Sequence, residues 1–289
     1  MPIVLGIVFV VEFVNDFAVF DRATFSYAVV GLLASSISIF LAFRVNESYA
    51  RWWEARSCWE NIKVGSRVFA RKALTLIDSA ADGVTNPEVL KLRQKLVYRQ
   101  IAYIHALRLL LREQEHWEEL KPFLNDEDYA AVLAVRNKPL WLAQRQAQDL
   151  VLARDKGWVT DSGLNQFDRT QRTIDSATGS CERIKNTPVP INVTGATRLI
   201  AWGMAIVLPM VILDSSNKFD LIDMVVVPIL MFIFLIIERL GRELQYPFDN
   251  DVNDTPMTAI CRSAEIDLRQ MLNEESLPSE IEAEHGVLM

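Results

Sequence analysis

The chain has few of the residues on which enzymes, metal centres and disulfide scaffolds depend. Its 289 residues include only three histidines and three cysteines, and none of these lie at the spacing of a metal-binding pair. No glycine-rich phosphate loop and no nucleophile elbow is present. We therefore expect neither an enzyme nor a bound cofactor, and we interpret Cys58, Cys181 and Cys261 as small buried side chains.

Positive charge is also scarce. The chain carries 30 lysines and arginines against 37 aspartates and glutamates, which gives a formal net charge of -7. The basic residues form no dense patch. A nucleic-acid partner is excluded on this basis, because its phosphates would repel the protein.

Apolar residues are concentrated in a few long runs. The run from Ala23 to Phe43 contains no charge, and at about 1.5 Å per helical residue it is long enough to cross a hydrocarbon core of roughly 30 Å. Shorter apolar runs cover residues 2–11, 199–213 and 224–237. We interpret the four runs as transmembrane helices of a multi-pass protein in a lipid bilayer, the last two forming a hairpin.

The basic residues that flank these runs predict an orientation. Arg44, Arg51 and Lys63 follow the second run, and Arg239 and Arg242 follow the fourth. Basic residues favour the cytoplasmic side of a membrane. The sequence therefore predicts a protein of the cell inner (plasma) membrane with both termini in the cytoplasm.

The residues between the second and third runs have the periodicity of helices, and no strand-type alternation appears in the chain. Asn86 followed by Pro87 is typical of a helix start. The predicted class is all-α, with a large helical cytoplasmic region. The predicted helices outside the membrane cover residues 48–76, 86–120, 125–136, 139–156, 161–184 and 257–272.

One face of the second predicted span mixes small polar and bulky apolar residues. Leu32, Ser35, Ile39 and Phe43 share this face because they follow helical spacing. Such a face suits a pore lining, but serines on a membrane helix also serve in packing between helices. The segment Arg51-Trp52-Trp53 that follows is, by itself, typical of an anchor at the membrane interface.

Four segments resemble the bacterial branch of the bestrophin family. Residues 36–56 (SISIFLAFRVNESYARWWEAR) are similar to the family's pore helix and its Arg-Trp-Trp signature, and residues 182–194 (ERIKNTPVPINVT) to its entry into the third span. Residues 245–254 (QYPFDNDVND) take the place of its Asn-Pro-Phe and acidic cluster, and residues 264–269 that of the following helix. The residues that match the family signature are Arg51, Trp52, Trp53, Pro188, Pro190, Pro247 and Phe248.

The resemblance implies a homopentameric funnel around a central pore. Phe43, Ile39 and Ser35 match the positions of the narrow neck, and Leu164, with Gly163 as its rival, matches a second constriction at the cytoplasmic end. The chain is then one bestrophin-like unit with four segments. These are the first two spans (1–43), a cytoplasmic helical region (44–186), the last two spans (187–239), and an acidic loop, helix and polar tail (240–289).

The resemblance leaves the ion open. Bacterial members imply small monovalent cations such as sodium, which the negative net charge also favours, whereas animal members imply chloride. The calcium site of animal members is degenerate in this chain, which keeps Asp249, Asp251 and Asp254 among neutral residues, and we expect no metal there. A non-conducting helical membrane scaffold or sensor is the remaining alternative.

Overall fold

The computed structural model describes residues 27–78, 86–215 and 221–283. Over these ranges the regular structure is helical and contains no strand, which confirms the all-α prediction. The first predicted span, residues 2–11, lies outside the described residues. The helices are α1 (Tyr27–Leu76), α2 (Pro87–Leu111), a 3-10 helix (Trp117–Phe123), α3 (Asp126–Leu133), α4 (Lys138–Asp155), α5 (Asp161–Asn186), α6 (Ile191–Ser215), α7 (Leu221–Glu243) and α8 (Met257–Met271).

Side-chain caps fix several helix starts. The Asn86 side chain accepts a hydrogen bond from the backbone N–H of Glu88 at 2.9 Å, and Pro87 occupies the first turn of α2. This confirms the start predicted at Asn86. Asn125 caps α3 in the same way, accepting from the backbone N–H of Asp128 at 2.7 Å. Each cap satisfies a backbone donor that has no partner within its helix.

The end of α2 differs from the prediction. The sequence pattern continues to about residue 120, but α2 ends at Leu111. Glu113 adopts a left-handed conformation with φ 55°, and the backbone N–H groups of Glu113 and Gln114 donate to the carbonyls of Leu110 and Leu109. This pattern of two reversed hydrogen bonds is a Schellman ending, which usually requires glycine at the position of Glu113.

The described residues divide into two compact units. The first unit contains the chain through Trp52 together with Pro188–Tyr246. In this unit α6 packs against α7. Met204 is the buried centre of an apolar cluster with Ala34, Ile37 and Phe234. The two downstream helices thus form the hairpin that the sequence predicts.

The second unit contains Trp53–Thr187 and the chain from Pro247 onward. Its core surrounds α2, which packs against α4, α5, α8 and the 3-10 helix. Phe69 on α1 and Phe167 on α5 contact edge to face at 5.5 Å and are buried. A Cβ atom on Gly65 would lie only 2.7 Å from the Cγ1 atom of Ile174. Glycine therefore permits a close approach of α1 and α5.

Among the residues described, no helix has both the length and the mean hydropathy that a membrane crossing requires. The four spans, and the segment boundaries near residues 43, 186 and 239, stay predictions.

Candidate functional site

The predicted neck residues lie on an exposed stripe of α1. Ser35, Ile39 and Phe43 follow one another at intervals of four, which places them on one helix face. Ile39 is 58% exposed and Phe43 66% exposed, and Ser35 is exposed as well. Leu41, between them in sequence, is buried. Contiguous apolar exposure of this kind marks a surface that contacts another molecule.

The serines of this segment bond to their own helix. The hydroxyl of Ser35 donates to the carbonyl oxygen of Gly31 at 2.8 Å. Ser36 and Ser38 donate to the carbonyls four residues earlier at the same distance. Because the hydroxyl protons are satisfied locally, the serines need no partner outside the helix. Ser35 therefore presents a small side chain to the exposed face of α1, and its hydroxyl proton is already bonded to the carbonyl of Gly31.

The Arg-Trp-Trp signature occupies the middle of α1. The Nε atom of Arg51 donates to the backbone carbonyl of Gln245, just after α7, at 3.0 Å. Trp52 stacks on Tyr49 with ring centroids 5.9 Å apart. Trp53 is an exposed aromatic residue. The arginine thus connects two segments of the first unit that are distant in sequence.

The signature prolines lie at helix boundaries. Pro188 and Pro190 belong to the short link between α5 and α6, and Pro190 directly precedes α6. The backbone N–H of Thr194 donates to the carbonyl of Pro190 at 3.4 Å in the first turn of α6. Proline is well suited to this place, because its fixed φ favours a helix start and its missing N–H costs no hydrogen bond.

The loop that follows α7 is closed by its own backbone. The N–H of Thr255 donates to the carbonyl of Pro247 at 3.0 Å, and Phe248 is buried in the core of the second unit. Asp254 is only 7% exposed, and one of its carboxylate oxygens accepts from the backbone N–H of Asp251 at 3.1 Å. The loop is therefore held in one conformation by contacts within the protein.

The remaining acidic groups of this loop do not converge on one point. Asp249 accepts a hydrogen bond from the ammonium of Lys185 at 2.9 Å, and Asp251 is exposed. Within the described part of the chain, no group of three or more His, Cys, Asp or Glu side chains has an arrangement that would hold a metal ion.

Burial changes the acidity of Asp254. The loss of water around its carboxyl group raises the pKa from 3.8 to about 6, although backbone hydrogen bonds oppose the shift. A carboxyl whose pKa is raised by folding favours the protonated native state. Its contribution to stability is therefore present in acid and is lost as the pH rises from about 4 to about 6.

We expect Asp254→Asn to unfold at a higher temperature than the unmodified chain at pH 7, because the amide is uncharged at every pH. The expected gain is about 1 to 2 kcal/mol, and it disappears below about pH 4. Thermal unfolding between pH 4 and pH 8 measures it. Asp251→Asn, in the same loop but exposed, is the matched comparison: it removes one of the charges that raise the pKa of Asp254 and should give a smaller gain. An equal gain at pH 4 and pH 7 would contradict the explanation by protonation.

The model of the bacterial and fungal bestrophin family matches residues 2–270. This chain belongs to that family. The voltage-dependent anion channel-forming protein YneE of Escherichia coli (strain K12) is 30% identical over 258 residues, which are 89% of this chain and 80% of the relative. The voltage-dependent anion channel-forming protein mll4386 of Mesorhizobium japonicum is 27% identical over 263 residues, which are 90% of this chain and 81% of that relative.

Solved structures agree with the bestrophin fold. A bacterial bestrophin homolog from Klebsiella pneumoniae superposes with a TM-score of 0.85 at 21% identity, over 95% of this chain and 98% of the homolog. A structure described as a membrane protein with the substitution G264A gives a TM-score of 0.86 at 21% identity and the same coverage. The resemblance predicted from the sequence is thus confirmed, and the all-helical fold with it.

The two candidates for the second constriction in this bestrophin-family chain lie in the first turn of α5. The backbone N–H of Gly163, itself buried, donates to the hydroxyl of the cap residue Thr160 at 3.1 Å. Leu164 is partly buried and packs against the core of the second unit. In the single chain, Gly163 takes part in the capping of α5, and Leu164 packs on the core of the second unit. A role in a constriction stays a prediction.

A buried cluster of charges on α2, α3 and α4 was not predicted from the sequence. The guanidinium of Arg99 is fully buried and donates to Asp128 at 2.6 Å and to Asp149 at 2.7 Å. Lys95 lies within 3.6 Å of Asp128 and 3.2 Å of Asp149. The one sequence signal for this cluster is an arginine on the apolar face of α2. Its partners could not be identified from the sequence, because they lie on other helices. The cluster joins three helices of the second unit.

All three cysteines are free and buried, as the sequence analysis predicted. Cys58 on α1 and Cys181 on α5 are neighbours, which the sequence did not indicate. A hydrogen bond with the Cys181 thiol lowers the pKa of Cys58 to about 7, whereas burial of Cys58 acts in the opposite direction. The pKa of the Cys181 thiol is raised by the same interaction and by burial.

Proposed function

We propose that this chain is one subunit of a passive ion channel in a cell membrane, in which five copies of α1 surround a common pore. The observation that carries the proposal is the exposed stripe of Ser35, Ile39 and Phe43 on a helix whose other side is packed. Membership of the bestrophin family and similarity to proteins named as channel-forming support it. An apolar stripe turned toward identical copies would become a ring.

The apolar ring would control ion passage through the wetting of the pore. Five copies each of Ile39 and Phe43 offer water no hydrogen-bond partners, so a narrow ring tends to dewet and stops ions. Ser35 adds a ring of small side chains whose hydroxyls donate to their own helix. The ring of Ser35 is thus wider than the two below it, and Phe43 and Ile39 set the conductance.

The membrane placement extends the same proposal. The four apolar runs form spans, and the helices between residues 44 and 186 form a cytoplasmic vestibule. Leu164 or Gly163 forms a second constriction at its far end. The basic residues at the predicted cytoplasmic ends support this orientation, because they favour the inner face of a membrane.

Two observations bear on the sign of the conducted ion, and they favour opposite answers. The relatives are named as anion channel-forming proteins, which supports chloride or a similar monovalent anion. The net charge of -7 per subunit favours accumulation of monovalent cations such as sodium in the vestibule. The neck side chains are neutral and favour neither sign.

Reconstitution in liposomes tests the proposal. The purified chain is expected to carry a current in a sodium chloride gradient, and the reversal potential then gives the sign of the permeant ion. Cross-linking in mild detergent should give a ladder that ends at five. A folded protein that carries no current would favour the scaffold or sensor, and a ladder that ends at two would contradict the pentamer.

A further inference from the structure

A buried pair of opposite charges lies directly after the neck stripe. Arg44, which follows Phe43, is 6% exposed, and Glu238 on α7 is 5% exposed. The Nη1 atom of Arg44 is 3.8 Å from the Oε1 atom of Glu238. Among the described residues of the first unit, these are the two charged side chains that are buried. The charges therefore balance each other in an otherwise neutral interior.

The pair is held by charge rather than by a hydrogen bond. The 3.8 Å separation exceeds the length of an N–H···O hydrogen bond. Within the described residues, both Nη atoms of Arg44 and the Oε1 atom of Glu238 have no hydrogen-bond partner. At the point where the two groups face each other, the electrostatic attraction between them is thus their main interaction.

Neighbouring contacts fix where the pair lies. A Cβ atom on Gly241 would be 3.3 Å from the Cγ2 atom and 3.8 Å from the Cα atom of Val45, so α1 and α7 approach closely beside Arg44. About two turns of helix beyond Arg44, Arg51 donates to the carbonyl of Gln245 at 3.0 Å. Contacts on the same two segments hold the charges beside the segment that carries the neck residues.

We propose that the pairing of Arg44 with Glu238 keeps the buried side of the neck electrically neutral, so that the selectivity of the neck between anions and cations depends on both charges being present. The inference rests on the proposed channel function. A helix with its side chains is about 10 Å across, so a charge on the buried side of α1 lies within roughly that distance of the stripe of Ile39 and Phe43. Protein separates the charge from the stripe, and screening by salt is weak there. When both charges are present, their fields at the neck cancel. When only one is present, it attracts ions of the opposite sign to the neck.

The expected results follow from which charge is left. Glu238→Gln leaves the Arg44 cation and should shift the permeability ratio toward anions by about fivefold. Arg44→Gln leaves the Glu238 anion and should shift the ratio toward cations by a similar factor. The double variant Arg44→Gln with Glu238→Gln should return to within about twofold of the unmodified ratio. Reversal potentials in a sodium chloride gradient across proteoliposomes measure all three.

Two kinds of variant serve as controls. Arg44→Lys and Glu238→Asp keep the charges and should keep the ratio, which guards against a variant that fails to fold. Arg239→Gln removes an exposed cation on the same helix, paired with Glu243 at 2.6 Å, and should change the ratio little. Size-exclusion profiles and cross-linking report whether each variant assembles as the unmodified chain does.

The outcomes separate the inference from the proposed function. Opposite shifts of the two single variants support the inference, because a purely structural role would move both in the same direction. Shifts of the same sign, or none, in variants that conduct would overturn it and leave the channel intact. A folded, assembled, unmodified chain that carries no current would overturn the proposed function and the inference with it.

Discussion

Replacing Ile39 and Phe43 together with alanine is expected to raise ion flux through reconstituted protein on the order of tenfold. Both side chains are exposed on one face of α1 in the single chain. Truncation widens both apolar rings of the proposed neck, so that water fills it and ions pass with their hydration intact. Flux from liposomes loaded with sodium chloride, measured for equal amounts of protein, gives the effect.

A second pair of residues on α1 provides the matched control. Leu33 and Phe40 are also exposed, and they also comprise one aliphatic and one aromatic side chain, but they lie off the stripe of Ile39 and Phe43. Alanine at both positions should change the flux by less than about twofold. An equal effect of the two double variants would mean that the neck is wrongly placed.

Arg99→Met should destabilise the second unit by about 3 to 5 kcal/mol, the largest loss of stability that we expect from one substitution. The change removes the buried cation that donates to Asp128 and Asp149, and it leaves both carboxylates buried beside Lys95. Thermal unfolding at pH 7 measures the loss. Arg154→Met removes an exposed ion pair with Asp155 and should leave the unfolding temperature nearly unchanged.

The pH dependence of this loss provides a further check. Burial by itself would raise the pKa of Asp128, but the hydrogen bond and charge of Arg99, with Lys95 and Arg145, lower it below its ordinary value. A carboxyl with a lowered pKa contributes stability above its unfolded pKa and loses it as the pH falls through the folded value. The difference between the unmodified chain and Arg99→Met should therefore shrink below about pH 4. A constant difference would assign the effect to packing alone.

Local signals in the sequence predicted most of the helices. Asn86 with Pro87 predicted the start of α2, and Gly157 predicted the boundary between α4 and α5. These signals act over a few residues, so they need no knowledge of the tertiary fold. The end of α2 was not predicted, because Glu113 adopts the left-handed backbone conformation at a position that is usually glycine. Without a glycine, the sequence gives no signal for the helix end.

The candidate site was predictable in part. Helical spacing placed Ser35, Ile39 and Phe43 on one face, and the structure leaves that face exposed. The pairing of Arg44 with Glu238 was not predictable, because no spacing rule relates residues so far apart in the chain. The same holds for Arg99 and its aspartates, which come from three helices. Such contacts depend on how helices pack, which periodicity does not specify.

The order in which the chain builds its two units limits how the protein can be divided. The chain passes from one unit to the other after Trp52, after Thr187 and after Tyr246, and the first of these transitions falls inside the unbroken helix α1. A truncation at any one of these points leaves at least one unit short of a segment, and a truncation after Thr187 leaves both short. Neither unit can therefore be expressed by itself as one contiguous fragment. During synthesis, the first unit is completed only when α6 and α7 have been translated, after the helices α2–α5.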